Sequence, residues 1–205
     1  VTSKPYHLLI DGTGSGFSRS DVVRHIATPP LPPRALIKLS DSLYVVGPEL
    51  LFLQLAACPD LDEIDLIEIG FELCGTYVID SSWDGLTNTG TPLTSVSKIG
   101  NMLDKLPGRD GIQRARTALG RVRDNSNSPM ETTLAMLISL PTSEGGLGIG
   151  RIELNRPVPT PVGRRKVDIS FPGRQVGLEY KGREYHSIEA VGRDDRRQNK
   201  LAGSG

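Results

Sequence analysis

Cysteine is scarce in this sequence. Cys58 and Cys74 are the only two among 205 residues, too few for a disulfide framework, and no C-x-x-C pair offers a zinc site. Aromatic residues make up 5% and apolar residues 37%. Nowhere does low hydrophobicity coincide with a long run of like charge, which excludes wholesale disorder. Long apolar runs are missing too: the longest, over residues 50–58, is interrupted by Gln54 and falls far short of a bilayer span. No basic start leads into an apolar stretch, so no signal peptide is expected. Together these absences read as a soluble, cytoplasmic chain in a reducing compartment with no membrane partner. The sequence opens on Val1 rather than Met and stops at Gly203-Ser204-Gly205, as a fragment of a longer protein would.

Net charge is absent as well, with 24 basic against 24 acidic residues. That balance hides an asymmetry. Residues 1–100 hold 6 Lys or Arg against 12 Asp or Glu, whereas residues 101–205 hold 18 against 12. The length suits one large domain or two small ones, each able to bury a core. The charge split favours two: an acidic unit over residues 1–107 and a basic unit over 108–205, meeting at Pro107-Gly108. The positive excess of the second unit suits a polyanion and fits a solvated surface equally well. The acidic unit reads as a regulatory or interaction domain, engaging a protein partner or a second copy of the chain.

Along the first half, residues 6–10 form a strand-like run closed by Asp11-Gly12-Thr13-Gly14-Ser15-Gly16. No Lys-Ser/Thr follows and the third glycine of G-x-G-x-x-G is missing, so a turn is expected rather than a phosphate cradle. Residues 18–25 read as a short capped helix, and residues 28–33, rich in proline, as an extended connection. A strand over 43–46 leads through Gly47-Pro48 into a helix over 49–57. After the acidic turn Asp60-Leu61-Asp62 a second helix covers about 63–75. Residues 81–97, with the only tryptophan, Trp83, read as an exposed loop. A short helix is expected over 99–106 and a longer one over 111–123. The latter sets Ile112, Ala115, Leu119 and Val122 on one face and leaves Arg114, Arg116, Arg121 and Arg123 off it, open to solvent or phosphate.

Residues 128–203 carry the chemistry. Ser128 and Glu131 form the S-x-x-E pattern of a capping box, which by itself explains both residues, and Leu134, Leu137 and Ile138 give the helix an apolar face. A strand over 150–156 and a proline-rich turn over 157–161 follow. Next comes a hairpin whose register can be derived. Residues 166–171 and 176–181 both alternate, and the turn Pro172-Gly173-Arg174-Gln175 sets Phe171 against Val176, Ile169 against Leu178 and Val167 against Tyr180. A slip of one residue would destroy that apolar face. The same register sets Asp168 opposite Glu179, about 5 Å apart at Cβ, where like charges repel. Protonation, a neutralising cation or splaying into water could relieve the repulsion, and Lys181 adds one positive charge. Two such carboxylates are hard oxygen ligands of the kind that hold Mg²⁺ or Mn²⁺, and a lysine beside them can support phosphate or water. A solvated surface ion cluster is the plainer alternative.

The run from Asp168 to Glu179-Tyr180-Lys181 resembles the PD-(D/E)xK nuclease signature. The preceding Ser128 and Glu131, the following Gly182-Arg183-Glu184-Tyr185-His186, and Asp194, Arg197, Asn199 and Leu201 extend the likeness. Together they are similar to small endonuclease-like proteins related to the very-short-patch-repair endonuclease, over about 75 residues. The first half resembles regions that precede this domain in some such proteins, and also abortive-infection-type regulators. The resemblance implies an α/β fold: a restriction-endonuclease-like mixed sheet core in the order α-β-β-β-α, its final strand missing, after a smaller α+β domain. It also implies metal ligands at Asp168 and Glu179, a catalytic lysine at Lys181, and Glu131 reaching Mg²⁺ or Mn²⁺ directly or through water. The backbone carbonyl of Tyr180 would be a further ligand. His186 is a proton donor or a structural histidine; Asp194 and Arg197 form an intrahelical ion pair or place Arg197 on phosphate.

The resulting expectation is a metal-dependent endonuclease acting on nucleic acid, with DNA favoured by analogy alone. Asp168, Glu179, Lys181 and Glu131 would form the catalytic site. Arg114, Arg121, Arg193, Arg196 and Arg197 would hold the phosphate backbone with little sequence preference. The rival is a non-catalytic nucleic-acid-binding or regulatory module in a phage-defence or toxin–antitoxin setting. A second rival is an interaction protein whose acidic half masks its basic half.

Overall fold

Caps and prolines decide where the helices of this chain start. A computed structural model describes residues 5–10, 19–26, 30–41, 43–80, 85–161 and 163–180 and shows a mixed α/β protein. Among the described residues there are five α-helices and four small sheets. Helix α1 (Pro48–Ala56) begins on a proline, whose missing N–H is no loss in the first turn. Helix α2 (Glu63–Cys74) begins at a reciprocal box in which Asp62 Oδ1 accepts from Asp65 N–H and Asp65 Oδ2 accepts from Asp62 N–H. Ser95 caps α3 (Val96–Asp104) and Ser128 caps α5 (Pro129–Ser139), each through its hydroxyl. Helix α4 (Ile112–Arg121) starts instead from Gly111, in the left-handed region at φ +76°.

These helices share one hydrophobic core that draws on residues from Ala35 to Phe171. Phe52, Leu66, Ile67, Phe71, Ile99 and Leu103 are fully buried in it. On α4 the buried face is Ile112, Ala115 and Leu119, continued by Val122, as the spacing predicts. The core crosses Pro107-Gly108: α3 before it and α4 after it both contribute, and α4 packs on α1 and α2.

Four sheets hold the strands. Strands β1 (Tyr6–Ile10) and β2 (Val22–Ile26) pair in parallel, and β3 (Leu36–Lys38) pairs antiparallel with β4 (Tyr44–Val46). The antiparallel pair β5 (Tyr77–Asp80) and β6 (Gly85–Asn88) follows α2. After α5 and a short 3₁₀ turn, Thr142–Glu144, come β7 (Glu153–Thr160), β8 (Gly163–Phe171) and β9 (Val176–Leu178), antiparallel in the order β7-β8-β9. Helix α5 lies against β8. The derived hairpin register is borne out where the ladder runs, with Phe171 opposite Val176 and Ile169 opposite Leu178.

Five expectations need correction. Residues 22–26 are a strand rather than part of a helix, because the β-branched Val22, Val23 and Ile26 pair with β1. The loop expected over 81–97 contains β6. The proline-rich turn expected over 157–161 is the continuation of β7, which pairs through Pro157 and Pro159; as an edge strand it tolerates the missing donors. On α5 the buried side is Glu131, Thr132, Ala135, Met136 and Ile138, while Leu137 stays 47% exposed. The apolar partners expected on β9 also stay open, Val176 at 48% and Leu178 at 38% exposure, although Val167, Ile169 and Phe171 on β8 are buried. The glycine loop after β1, Trp83 and the last helix lie outside the described residues.

Gly111 gives a direct test of the helix junction. A Cβ there would sit 2.5 Å from Ala57 N and 2.6 Å from Ala56 C, both backbone atoms, and would also be strained at φ +76°. Gly111→Ala is expected to cost about 3 kcal/mol or more. Gly120→Ala, in open space on the same helix, should gain about 0.5–1 kcal/mol. Urea unfolding of both variants checks the pair.

Candidate active site

The link from α4 to α5 runs through Asp124-Asn125-Ser126-Asn127-Ser128, and each of these residues finds a partner through its side chain or its backbone. Asp124 Oδ1 accepts from Val96 N–H at 2.8 Å, fixing the start of α3. Asn125, at φ +70°, donates its N–H to Cys74 O at 3.0 Å; asparagine is among the few residues at ease there. Ser126 O accepts from Thr76 N–H at 2.8 Å. Its hydroxyl meets Thr132 Oγ1 at 2.8 Å, and Thr132 Oγ1 meets Tyr77 OH at 3.0 Å. The start of α5 is thereby tied to the end of α2 and to β5.

Glu131 sits one turn into α5 and is buried. Its N–H donates to Ser128 Oγ at 3.2 Å, the expected half of a capping box. The other half differs: Glu131 Oε2 accepts from Asn127 N–H at 3.0 Å and from Asn155 Nδ2 at 2.7 Å. The carboxylate is therefore held between the loop and β7. A carboxylate and a carbonyl only accept, which fixes the Asn155 amide: Nδ2 faces Glu131 and also Asn125 O at 2.9 Å, while Oδ1 accepts from Asn127 Nδ2.

The sheet explains how Asn155 gets there. Leu154 pairs with Ile169 and Arg156 with Val167, so Asn155 stands opposite Asp168 in register. That one position drops out of the ladder because Asn155 takes φ +48°. Its side chain is thus available to α5. Across the hairpin, Asp168 Oδ2 accepts from Tyr180 N–H at 2.9 Å, and Glu179, next after the last paired residue of β9, carries a buried Oε1. Asp168 is half-buried. Burial pushes the Glu131 carboxyl above its ordinary value; the hydrogen bonds from Asn127 and Asn155 oppose this, and the negative charge of Asp168 adds to the rise. Glu131 and Asp168 are thus electrostatic neighbours.

The structure therefore brings Glu131, Asp168 and the start of the Glu179 segment to one end of the β8–β9 hairpin. Lys181, His186, Arg193, Asp194, Arg196, Arg197, Asn199 and Leu201 lie outside the described residues. Two arginines expected on phosphate are occupied. Arg114 donates to Ala56 O, Cys58 O and Leu61 O, closing the turn between α1 and α2. Arg121 makes a bidentate pair with Glu144, with Nε–Oε2 at 3.0 Å and Nη2–Oε1 at 2.6 Å. His7 meets His25 Nε2 through its Nδ1 at 2.8 Å. Sequence reasoning missed Asn127 and Asn155. The dense run of Asp, Asn and Ser over 124–128 was the available signal, since such residues bond backbone in turns and caps.

No family model matches this chain, and neither a curated protein nor a solved structure matches it.

Two outcomes follow from the Glu131 network. Asn155→Ala removes donors to a buried carboxylate and leaves a strained φ, and is expected to cost about 3 kcal/mol by urea unfolding. Asn155→Gly should recover about 1 kcal/mol of that loss. The second outcome concerns pH. Because the folded-state pKa of Glu131 lies above the ordinary 4.5, the folded protein keeps this proton longer than the unfolded chain. Its contribution is most favourable below that value and declines as pH rises through the folded pKa. Glu131→Gln should thus gain melting temperature relative to wild type between pH ~4 and pH ~7. Parallel melting curves would contradict this.

Proposed function

We propose that this chain is a metal-dependent endonuclease that hydrolyses phosphodiester bonds, with DNA the favoured substrate. The observation that carries the reading is the hairpin register, which sets Asp168 beside Glu179 just past the last ladder pair and ties Asp168 to Tyr180 N–H, with the Asp168 charge also felt at Glu131. A bound cation is one way to relieve the repulsion of carboxylates assembled in this way, protonation being the other. The order α5-β7-β8-β9 supports a restriction-endonuclease-like arrangement of the core, and the Asp168 to Lys181 spacing supports a PD-(D/E)xK site.

As carboxylate oxygens, the donors are of the type that a hard divalent ion takes. Asp168 and Glu179 would hold Mg²⁺ or Mn²⁺, with Glu131 completing the shell directly or through water. Such an ion is commonly bound through only one or two carboxylates, with waters filling the rest. When bound, it supplies Lewis acidity toward phosphate and a water of lowered pKa. The chain's own residues do the positioning. Tyr180 N–H fixes the Asp168 carboxylate, and Asn155 and Asn127 fix Glu131. Lys181 is assigned to water and phosphate on the motif alone.

One observation favours the rival reading, a nucleic-acid-binding module on the same scaffold: among the described residues no three His, Cys, Asp or Glu side chains come close enough to surround an ion. Relaxation of supercoiled plasmid separates the two. The nuclease reading expects nicking with millimolar Mg²⁺ or Mn²⁺, abolished by chelator and reduced about a hundredfold or more in Asp168→Asn and Lys181→Ala. Chelator-resistant nicking, or nicking unchanged in both variants, would sink it.

A further inference from the structure

A cleft of about 320 Å³ opens between the residues leaving α4 and those entering β7. Arg123, Asp124 and Asn125 line one wall, and Arg151, Glu153, Asn155 and Arg156 are on the other. The Asn155 Nδ2 bond to Asn125 O crosses between the walls. The same Nδ2 donates to Glu131, so the cleft and the carboxylate site share one side chain.

The charges of this cleft do not cancel. Three arginines face two carboxylates, Asp124, which accepts from Val96 N–H, and Glu153, which stands 3.5 Å from Arg156, so that one positive charge is left over. Among the described residues neither Arg123 nor Arg151 has a carboxylate within ion-pair distance. Arg123 spends Nη1 on Gly120 O and Val122 O, which anchors the guanidinium at the end of α4. Burial lowers its pKa, and the positive charges of Arg151 and Arg121 lower it further. A half-buried guanidinium beside a second cation is costly unless an anion occupies the space between them. Planar guanidinium groups match phosphate oxygens in geometry as well as charge.

We infer that the Arg123–Arg151–Arg156 cleft is a phosphate-binding subsite for a nucleic-acid strand, holding a phosphodiester that is not the one cleaved. The identity of the polyanion rests on the nuclease reading above. Asn155 sets the distance from this subsite to the carboxylates, since it lines the cleft and grips Glu131 at once. Neither Arg151 nor Arg156 stood out in the sequence.

Binding can be measured apart from cleavage. A fluorescein-labelled single-stranded oligonucleotide titrated in chelator, followed by anisotropy across a salt series, reads contacts to phosphate without turnover. Arg151→Gln and Arg123→Gln are each expected to weaken binding about three- to tenfold and to reduce the slope of log affinity against log salt by about 0.7. Arg123→Lys, which keeps the charge, should retain most of the slope and guards against a folding defect at the α4 end; melting curves of all variants complete that control. Arg116→Gln, whose partner is the exposed Asp104, should bind as wild type does. Unchanged affinity and slope in both glutamine variants would overturn the subsite, as would saturation by micromolar inorganic phosphate with no oligonucleotide binding. Wild-type protein that binds in chelator through these arginines but cuts nothing with Mg²⁺ would retain the subsite and refute the nuclease. Protein that cuts while the arginine variants bind normally would do the reverse.

Discussion

A single amide, that of Asn155, joins three parts of this protein. It lies on β7 but bonds the α4–α5 loop and the first turn of α5, and through Glu131 it brings a buried carboxylate toward Asp168. A buried carboxylate without donors would take up a proton or unfold its surroundings. Two donors on one oxygen, from Asn127 and Asn155, let the charge persist at a reduced penalty. The left-handed backbone of Asn155 is the geometric condition for this, and the asparagine identity makes that conformation accessible.

Rigid support extends outward from that amide. The loop it grips is tied to Cys74 and Thr76 at the end of α2, and the hydroxyl chain through Ser126, Thr132 and Tyr77 closes the gap between α5 and β5. The core beneath α1, α2 and α4 therefore positions a polar assembly to which it contributes no chemistry. This division of labour is common when charged groups must be held near one another: apolar packing supplies stiffness, and a small satisfied polar network supplies direction.

How much of this was legible in the sequence depends on the kind of signal. Register was legible at Phe171, Ile169, Val176 and Leu178, because alternation on both arms of a hairpin admits one solution. The starts of α1, α2 and α5 were legible because caps and proline act locally. Pairing between distant segments was not: Val22, Val23 and Ile26 form a strand only in company with β1. Among the candidate residues, Glu131 and Asp168 stood out because titratable residues draw attention through their spacing. Asn127 and Asn155 were missed because neutral amides announce nothing until the backbone turns them, and Asn155 turns through one irregular φ within an otherwise regular strand. Arg114 misled for the opposite reason: its position off an apolar helix face suggested solvent, while three carbonyl oxygens of the α1–α2 turn claimed it.

The prolines of β7 bear on how the sheet can grow. Pro157 and Pro159 occupy alternate positions of a strand whose other side is bonded to β8. Each removes a donor that an incoming strand would need, and alternation puts both gaps on the same margin. That margin is therefore closed to strand addition, whether by another copy of the chain or by an extended peptide. Any fourth strand in this sheet must join beyond β9, on the side from which the Glu179 segment departs, so that lengthening the sheet and reshaping the carboxylate end are one and the same structural event.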